Sequence, residues 1–185
     1  DESIEMIRKI IGEDKARSII LISGGFSETK RGQRYGEALE KAIADKRKSS
    51  PDPPVVNGPN CMGIVSNPGG YNTFFLPDYK LSFSGDTGSD SAFISQSGAF
   101  IVTMMSILSG VNPSYMITVG NQVDLTVTDY LRKLANDPSL VTYFIYLEGF
   151  KKLDGRGFLK AARGILQSGK RLVVYKSGRS AEGAA

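Results

Sequence analysis

Ser95-Gln96-Ser97-Gly98 stands between an apolar strand pattern, residues 91–95, and an apolar helical run, residues 99–108. A helix leaves its first amide N–H groups unpaired, and its dipole places about half a positive charge there. A hydroxyl at that end can cap the helix or bind a guest, and a glycine lets backbone approach a phosphate or carboxylate. The turn is an anion site in outline, although many Ser-Gly turns in parallel α/β folds bind nothing. The helical run is apolar nearly all round, which predicts burial on most sides and poor screening of its dipole by water. Glu148 follows the apolar strand Tyr143-Phe144-Ile145-Tyr146-Leu147. A carboxylate there either caps the next turn or pairs with a cation, and beside an anion its use is to hold a protonated or hydrogen-bonding base. The chain contains no histidine. Ser-His catalysis, histidine metal sites and phosphohistidine chemistry are therefore excluded within these residues, and a base for Glu148 has to come from elsewhere.

Other candidates have bland alternatives. Lys176-Ser177-Gly178-Arg179 can bind phosphate or be a solvated loop. Asn121 and Asp124 can position a substrate or satisfy turn amides. Cys61 is a nucleophile only beside an activating base or cation, and otherwise a small buried residue. Position 95 is serine, not the glycine that a nucleophile elbow places two residues before its serine, so a hydrolase is not indicated.

The elements that must position these residues follow from periodicity. Apolar residues at 4, 6, 7, 10 and 11 predict a helix over 3–11, followed by a strand at 18–22, the loop Ser23-Gly24-Gly25-Phe26-Ser27, a helix at 32–46 and a strand at 53–56. This is half of a doubly wound sheet, begun in mid-pattern. Between Ser66 and Asp90 the composition turns to Pro, Gly, Ser, Asn and Asp, which predicts a domain boundary: 1–76, a linker at 77–90, and 91–185. Beyond it strands at 91–95, 114–119, 141–147 and 171–176 alternate with helices at 98–109, 125–136 and 155–168, the pattern of a parallel sheet. Each strand ends in a glycine with a polar neighbour: Ser97-Gly98, Gly120-Asn121, Glu148-Gly149 and Ser177-Gly178. In an open parallel sheet these four turns converge at the carboxyl edge, where ligands bind.

The totals set the class. With 185 residues, 41% apolar and 23% charged, the chain has the balance of a soluble globular protein of one or two domains. No apolar run reaches the ~20 residues of a membrane span, and the acidic start Asp1-Glu2-Ser3-Ile4-Glu5 is no signal peptide, so a cytoplasmic protein without membrane partners is expected. A single cysteine excludes an internal disulfide. The net charge of +4 is spread among acids without a basic stripe, which argues against nucleic acid and suits a small polyanion such as a nucleotide or coenzyme A.

Taken together, Gly58-Pro59-Asn60-Cys61-Met62-Gly63-Ile64, Ser95-Gln96-Ser97-Gly98-Ala99, Val119-Gly120-Asn121-Gln122-Val123-Asp124, Tyr146-Leu147-Glu148-Gly149 and Lys176-Ser177-Gly178-Arg179 resemble the nucleoside-diphosphate-forming acyl-CoA synthetases, relatives of the succinyl-CoA ligase alpha subunit. The resemblance implies the C-terminal half of a Rossmann-like CoA-binding domain followed by a flavodoxin-like ligase domain, cut at both ends. It implies an acid–CoA ligase that interconverts acyl-CoA, phosphate and ADP with acid, CoA and ATP through a phosphohistidine outside the chain. Ser95, Gln96, Ser97 and Gly98 would hold the phosphoryl group. Glu148 would orient the missing histidine, and Ser23, Gly24, Gly25, Phe26, Asn60, Cys61 and Asn121 would line the CoA and substrate site. Coenzyme A would bind here, ATP or ADP with Mg²⁺ on an ATP-grasp domain or beta subunit, and the assembly would be oligomeric. No metal site is expected in the chain itself. A non-catalytic module binding CoA or acyl-CoA within a larger regulatory protein stands as the alternative.

Overall fold

A computed structural model describes residues 2–26, 29–77, 88–108 and 110–178. A first unit consists of α1 (Glu2–Gly12), β1 (Ser18–Ile20), α2 (Lys30–Ser49) and β2 (Val55–Asn57), with β1 and β2 paired in parallel. Its core, Ile7, Ile11, Leu21, Phe26, Leu39, Ile43 and Val56, is the apolar stripe of both helices closed onto the two strands. Thr29 accepts a hydrogen bond from Gly32 N and caps α2, whose last turn carries Lys46, Arg47 and Lys48, cations that suit the dipole.

The second sheet has six strands: β3 (Ile64–Ser66), β4 (Tyr71–Asn72), β5 (Ser89–Ser95), β6 (Pro113–Thr118), β7 (Thr142–Leu147) and β8 (Arg171–Lys176), in the order β4-β3-β6-β5-β7-β8. β5 through β8 are parallel, as their spacing predicts, whereas β3 and β4 are antiparallel additions to the β6 edge. Residues 64–66 and 71–72, placed by composition before the boundary, thus belong to the second sheet. Strands of three and two residues amid Pro68-Gly69-Gly70 carry no period from which to read them.

Helices α3 (Gly98–Ile107), α4 (Val127–Leu134) and α5 (Asp154–Gln167) cover the sheet on two faces. Alternation along each strand divides the core. Ala92, Ile94, Ile117, Val119, Tyr143, Ile145 and Leu147 pack with Leu131, Phe158 and Ile165 of α4 and α5. The intervening Phe93 and Met116 pack with Ile101 and Met105 of α3. A capping box joins Thr126 and Asp129 at the start of α4. The expectation that α3 is buried on most sides is not met. Only Ile101 and Met105 are buried along it, and Ile107 is 67% exposed. The reason is that its flank toward β8 is an open apolar groove of about 480 Å³, lined by Phe100, Met104, Phe144, Val173 and Tyr175 among others.

The two units meet along the β6–α4 loop. Asn121 N, Val123 N and Leu125 N donate to Pro59 O, Gly58 O and Val56 O at 2.9, 3.0 and 3.1 Å, so this loop lies alongside the segment leaving β2. Asp124, whose side chain is 1% exposed, accepts from Val56 N at 2.8 Å and pairs with Arg47 of α2. Tyr130 donates to Asn57 Oδ1, and Asn57 Nδ2 donates to Thr118 O. Among the described residues no helix is long and apolar enough to cross a membrane.

Candidate functional site

The strand order reverses at β5, which runs between β6 and β7, and the crevice outside the carboxyl ends of β5 and β7 is where doubly wound sheets bind ligands. A cavity of about 300 Å³ lies there. Its wall is formed by Gln96, Ser97, Gly98 and Ala99 at the start of α3, Glu148 after β7, Gly120 and Asn121 after β6, Asn60, Cys61 and Met62 from the segment between β2 and β3, and Ile22 and Phe75. Three of the four predicted strand-end turns therefore converge in one cavity, and the fourth, Ser177-Gly178, does not line it.

One corner of the cavity is the start of α3. Ser97 is the N-cap and accepts from Phe100 N at 3.3 Å, and the helix has no acidic residue in its own first turn, so the one carboxylate among the described residues of the cavity wall is Glu148. Gly98 packs closely on Met62: a Cβ on it would lie 2.2 Å from Met62 Cγ and 2.6 Å from Sδ, so a side chain there would displace Met62 from the cavity wall. Gly120 is favoured twice over, by a φ of +56° and by Pro59 O and Asn60 O, which would lie 2.1 and 2.6 Å from any Cβ there. Gln96 Oε1 accepts from Glu148 N at 2.7 Å and Gly149 N at 3.0 Å, which ties the two sides of the crevice together. Lys176 Nζ donates to the backbone carbonyls of Glu148 and Ser177 at 2.6 Å each. Burial pushes the Cys61 thiol above its ordinary range, outweighing the hydrogen bonds from Gly63 and Asn57 that favour the thiolate. Among the described residues no group of histidine, cysteine, aspartate and glutamate side chains could hold a metal ion.

Residues 88–185 match the family model of the succinyl-CoA ligase-like flavodoxin domain. The chain belongs to that family. Among curated proteins the chain is 33% identical over 175 residues to ADP-forming acetate–CoA ligase I of Archaeoglobus fulgidus, covering 94% of this chain and 24% of that protein. It is 31% identical over 175 residues to the alpha subunit of ADP-forming acetate–CoA ligase I of Pyrococcus furiosus, covering 94% and 35%. Dinucleotide-forming acetyl-coenzyme A synthetase 1 of Candidatus Korarchaeum cryptofilum, solved in complex with phosphate and ADP, superposes with a TM-score of 0.79 at 27% identity, covering 98% of this chain and 37% of that one. The chain thus spans roughly a quarter to a third of the length of the relatives it matches. The flavodoxin-like fold expected for the second half is the one this family has.

In this family member the predicted residues fall into two groups. Gln96, Ser97, Gly98, Asn60, Cys61, Asn121 and Glu148 come together in the cavity. Ser95 does not line it: fully buried, its hydroxyl donates to Ser97 O at 2.6 Å and accepts from Ser97 N at 3.1 Å, so it holds the turn from beneath. Phe26 is buried in the core of the first unit, and Ser23, Gly24 and Gly25 are exposed after β1 and do not line the cavity, although Ser23 O accepts from Asn60 N of its wall at 3.0 Å. Glycines beside an aromatic look like a ligand loop, yet the aromatic serves the core. Ile22, Met62 and Phe75 are cavity residues that the sequence did not single out. The signal for Ile22 and Phe75 is exposed apolar surface, 41% and 60%, which is visible only in three dimensions, and half-buried Met62 gives none.

Proposed function

We propose that the protein to which these residues belong is an ADP-forming acid–CoA ligase, converting acid, CoA and ATP into acyl-CoA, ADP and phosphate, and the reverse. The carrying observation is the switch-point cavity, with the cation-like end of α3 facing Glu148. Identity to ADP-forming acetate–CoA ligases adds weight to it. Ser97 Oγ and the Gly98 and Ala99 amides bind the phosphoryl oxygens, and the helix end contributes about 0.3–2 kcal/mol to holding them. Gln96 stands beside the same corner, with its side-chain Oε1 held by Glu148 N and Gly149 N. Ser95 acts only by holding the turn.

Glu148 orients the base that carries the phosphoryl group. That base is a histidine supplied from outside residues 1–185, which contain none. When present, it supplies nucleophilic attack on the acyl phosphate and carriage of the phosphoryl group toward ADP. Coenzyme A fits the other side of the cavity by its thiol arm: Asn60 and Asn121 offer amides, and Ile22, Met62 and Phe75 give an apolar wall. A Cys61 thiol held protonated by burial does not compete as a nucleophile beside a thioester. Ser23, Gly24 and Gly25 contact the outer part of CoA. ATP or ADP with Mg²⁺ binds an ATP-grasp domain or beta subunit, and the complete assembly is an oligomer of the cytoplasm.

The test uses the full-length protein with its ATP-grasp part, Mg²⁺, ATP, CoA and a panel of carboxylic acids. Acyl-CoA and ADP form in equal amounts, and ATP alone leaves an acid-labile phosphoprotein. Coenzyme A binding without either product would instead make the protein a CoA-responsive regulatory module.

A further inference from the structure

Gln96 does more than face the cavity. Its backbone N donates to Tyr146 O at 3.1 Å, extending the β5–β7 ladder one step past Ser95. Its side chain then takes over where the ladder stops: Oε1 accepts both Glu148 N and Gly149 N. Two N–H donors can be satisfied only by an acceptor, so the amide has one orientation, with Oε1 on the β7 turn and Nε2 directed elsewhere. The peptide of Glu148 is held from the opposite side as well, since its carbonyl accepts from Lys176 Nζ at 2.6 Å. Glu148 itself is exposed and has no ion pair among the described residues. Its backbone, not its carboxylate, is what the surrounding side chains fix.

We propose that Gln96 is the positioning residue for Glu148, a neutral strut that sets the carboxylate at a fixed place across the crevice from the start of α3. This rests on the ligase reading above and assigns within it a role distinct from phosphate binding. A leucine in its place has the bulk and no acceptor. A glutamate keeps the acceptor but sets a second negative charge beside Glu148 and the anion corner. Glutamine is the side chain of this length that accepts two N–H groups without charge.

The experiment uses the full-length ligase with its ATP-grasp part and compares wild type, Gln96→Leu, Gln96→Glu, Glu148→Gln and the double variant Gln96→Leu/Glu148→Gln. Misplacing a catalytic group by about 1 Å can cost on the order of 100-fold in rate, so Gln96→Leu is expected to lower kcat by roughly 10- to 100-fold with the KM for CoA little changed. Because Gln96 acts through Glu148, the double variant is expected to be no slower than Glu148→Gln alone. Amide exchange at positions 148 and 149, read by mass spectrometry or NMR, speeds up in Gln96→Leu and stays slow in Gln96→Glu, whose defect is a raised KM for phosphate. A Gln96→Leu enzyme within about 3-fold of wild type, or losses from Gln96→Leu and Glu148→Gln that multiply in full, would overturn the role. A wild-type protein that forms no acyl-CoA removes the ligase function and this role with it, a result plainly distinct from an active enzyme indifferent to Gln96→Leu.

Discussion

Replacing Asp124 by alanine should loosen the joint between the two units. The carboxylate is 1% exposed and accepts from the backbone N–H of Val56, a residue with no exposed surface. Alanine leaves that N–H without a partner, and a hydrogen bond to a charged acceptor is worth about 1.5–3 kcal/mol. The ion pair with Arg47 is lost as well, but Arg47 is 49% exposed, so solvent screening cuts its share to about 0.2–1 kcal/mol. Together these give about 2–4 kcal/mol. At about 2–4 °C per kcal/mol for a chain of this size, Tm should fall by roughly 4–16 °C. Asp124→Asn keeps an oxygen for Val56 N and loses only the charge, so its fall should be about a third as large or less. Calorimetry on the 185-residue chain, with amide exchange at Val56 as a local readout, measures both. An Asp124→Ala chain melting within about 1 °C of wild type would refute the reasoning. Asp124→Asn as damaging as Asp124→Ala would show that charge, and not the acceptor, holds the joint.

Three further outcomes are expected. Ser97→Ala removes the N-cap of α3 and should cost about 0.5–2 kcal/mol in stability, together with a weaker phosphate affinity measured by calorimetric titration of the full-length protein. The thiol of Cys61, 3% exposed and shifted upward by burial, should react with iodoacetamide at pH 8 at least about 10-fold more slowly than an unfolded control, with labelling read by intact mass. Burial pushes the Tyr143 phenol up to about 12 and raises Tyr130 beyond the ordinary phenol range. Unfolded tyrosines ionise near pH 10, so the stability linked to these two is intact below about pH 10 and is lost as pH rises toward the folded values, by up to about 1.4 kcal/mol per pH unit for each phenol. Thermal unfolding between pH 9 and 11.5 should show this decline, flattened in Tyr143→Phe, and stability that holds level to pH 11.5 would contradict it.

The elements that carry the site were largely legible, because the strands that flank the crevice are buried on both faces and read as apolar runs. β5, expected at 91–95, is buried at each of those positions, and α3, expected from 98, starts at Gly98; the exposed edge strand β8, at Arg171–Lys176 as expected, was legible from its β-branched and aromatic residues alone. Convergence of three of the four strand-end turns followed from topology alone, and Ser177-Gly178 at the edge strand fell outside it. What could not be read was the fate of individual side chains whose identity suits two settings. Ser95 and Ser97 are the same residue two positions apart and would share a face in a continuing strand, but β5 ends at Ser95 and the turn opens Ser97 to the cavity while Ser95 stays buried. Phe26 and Phe75 are both aromatics beside turn residues, and only packing sends the first into a core and the second to a cavity wall. The Gln96 strut had no local signal, since its partners lie 52 and 53 residues away.

The run from Asn57 to Gly63 leaves the first sheet, lies against the β6–α4 loop, supplies Asn60, Cys61 and Met62 to the cavity and enters the second sheet as β3. One strip of backbone is thus at once tether, seam and wall. Because that strip is hydrogen-bonded to the β6–α4 loop, any swing of one half against the other pulls on the cavity wall itself, so the joint and the chamber answer to the same backbone.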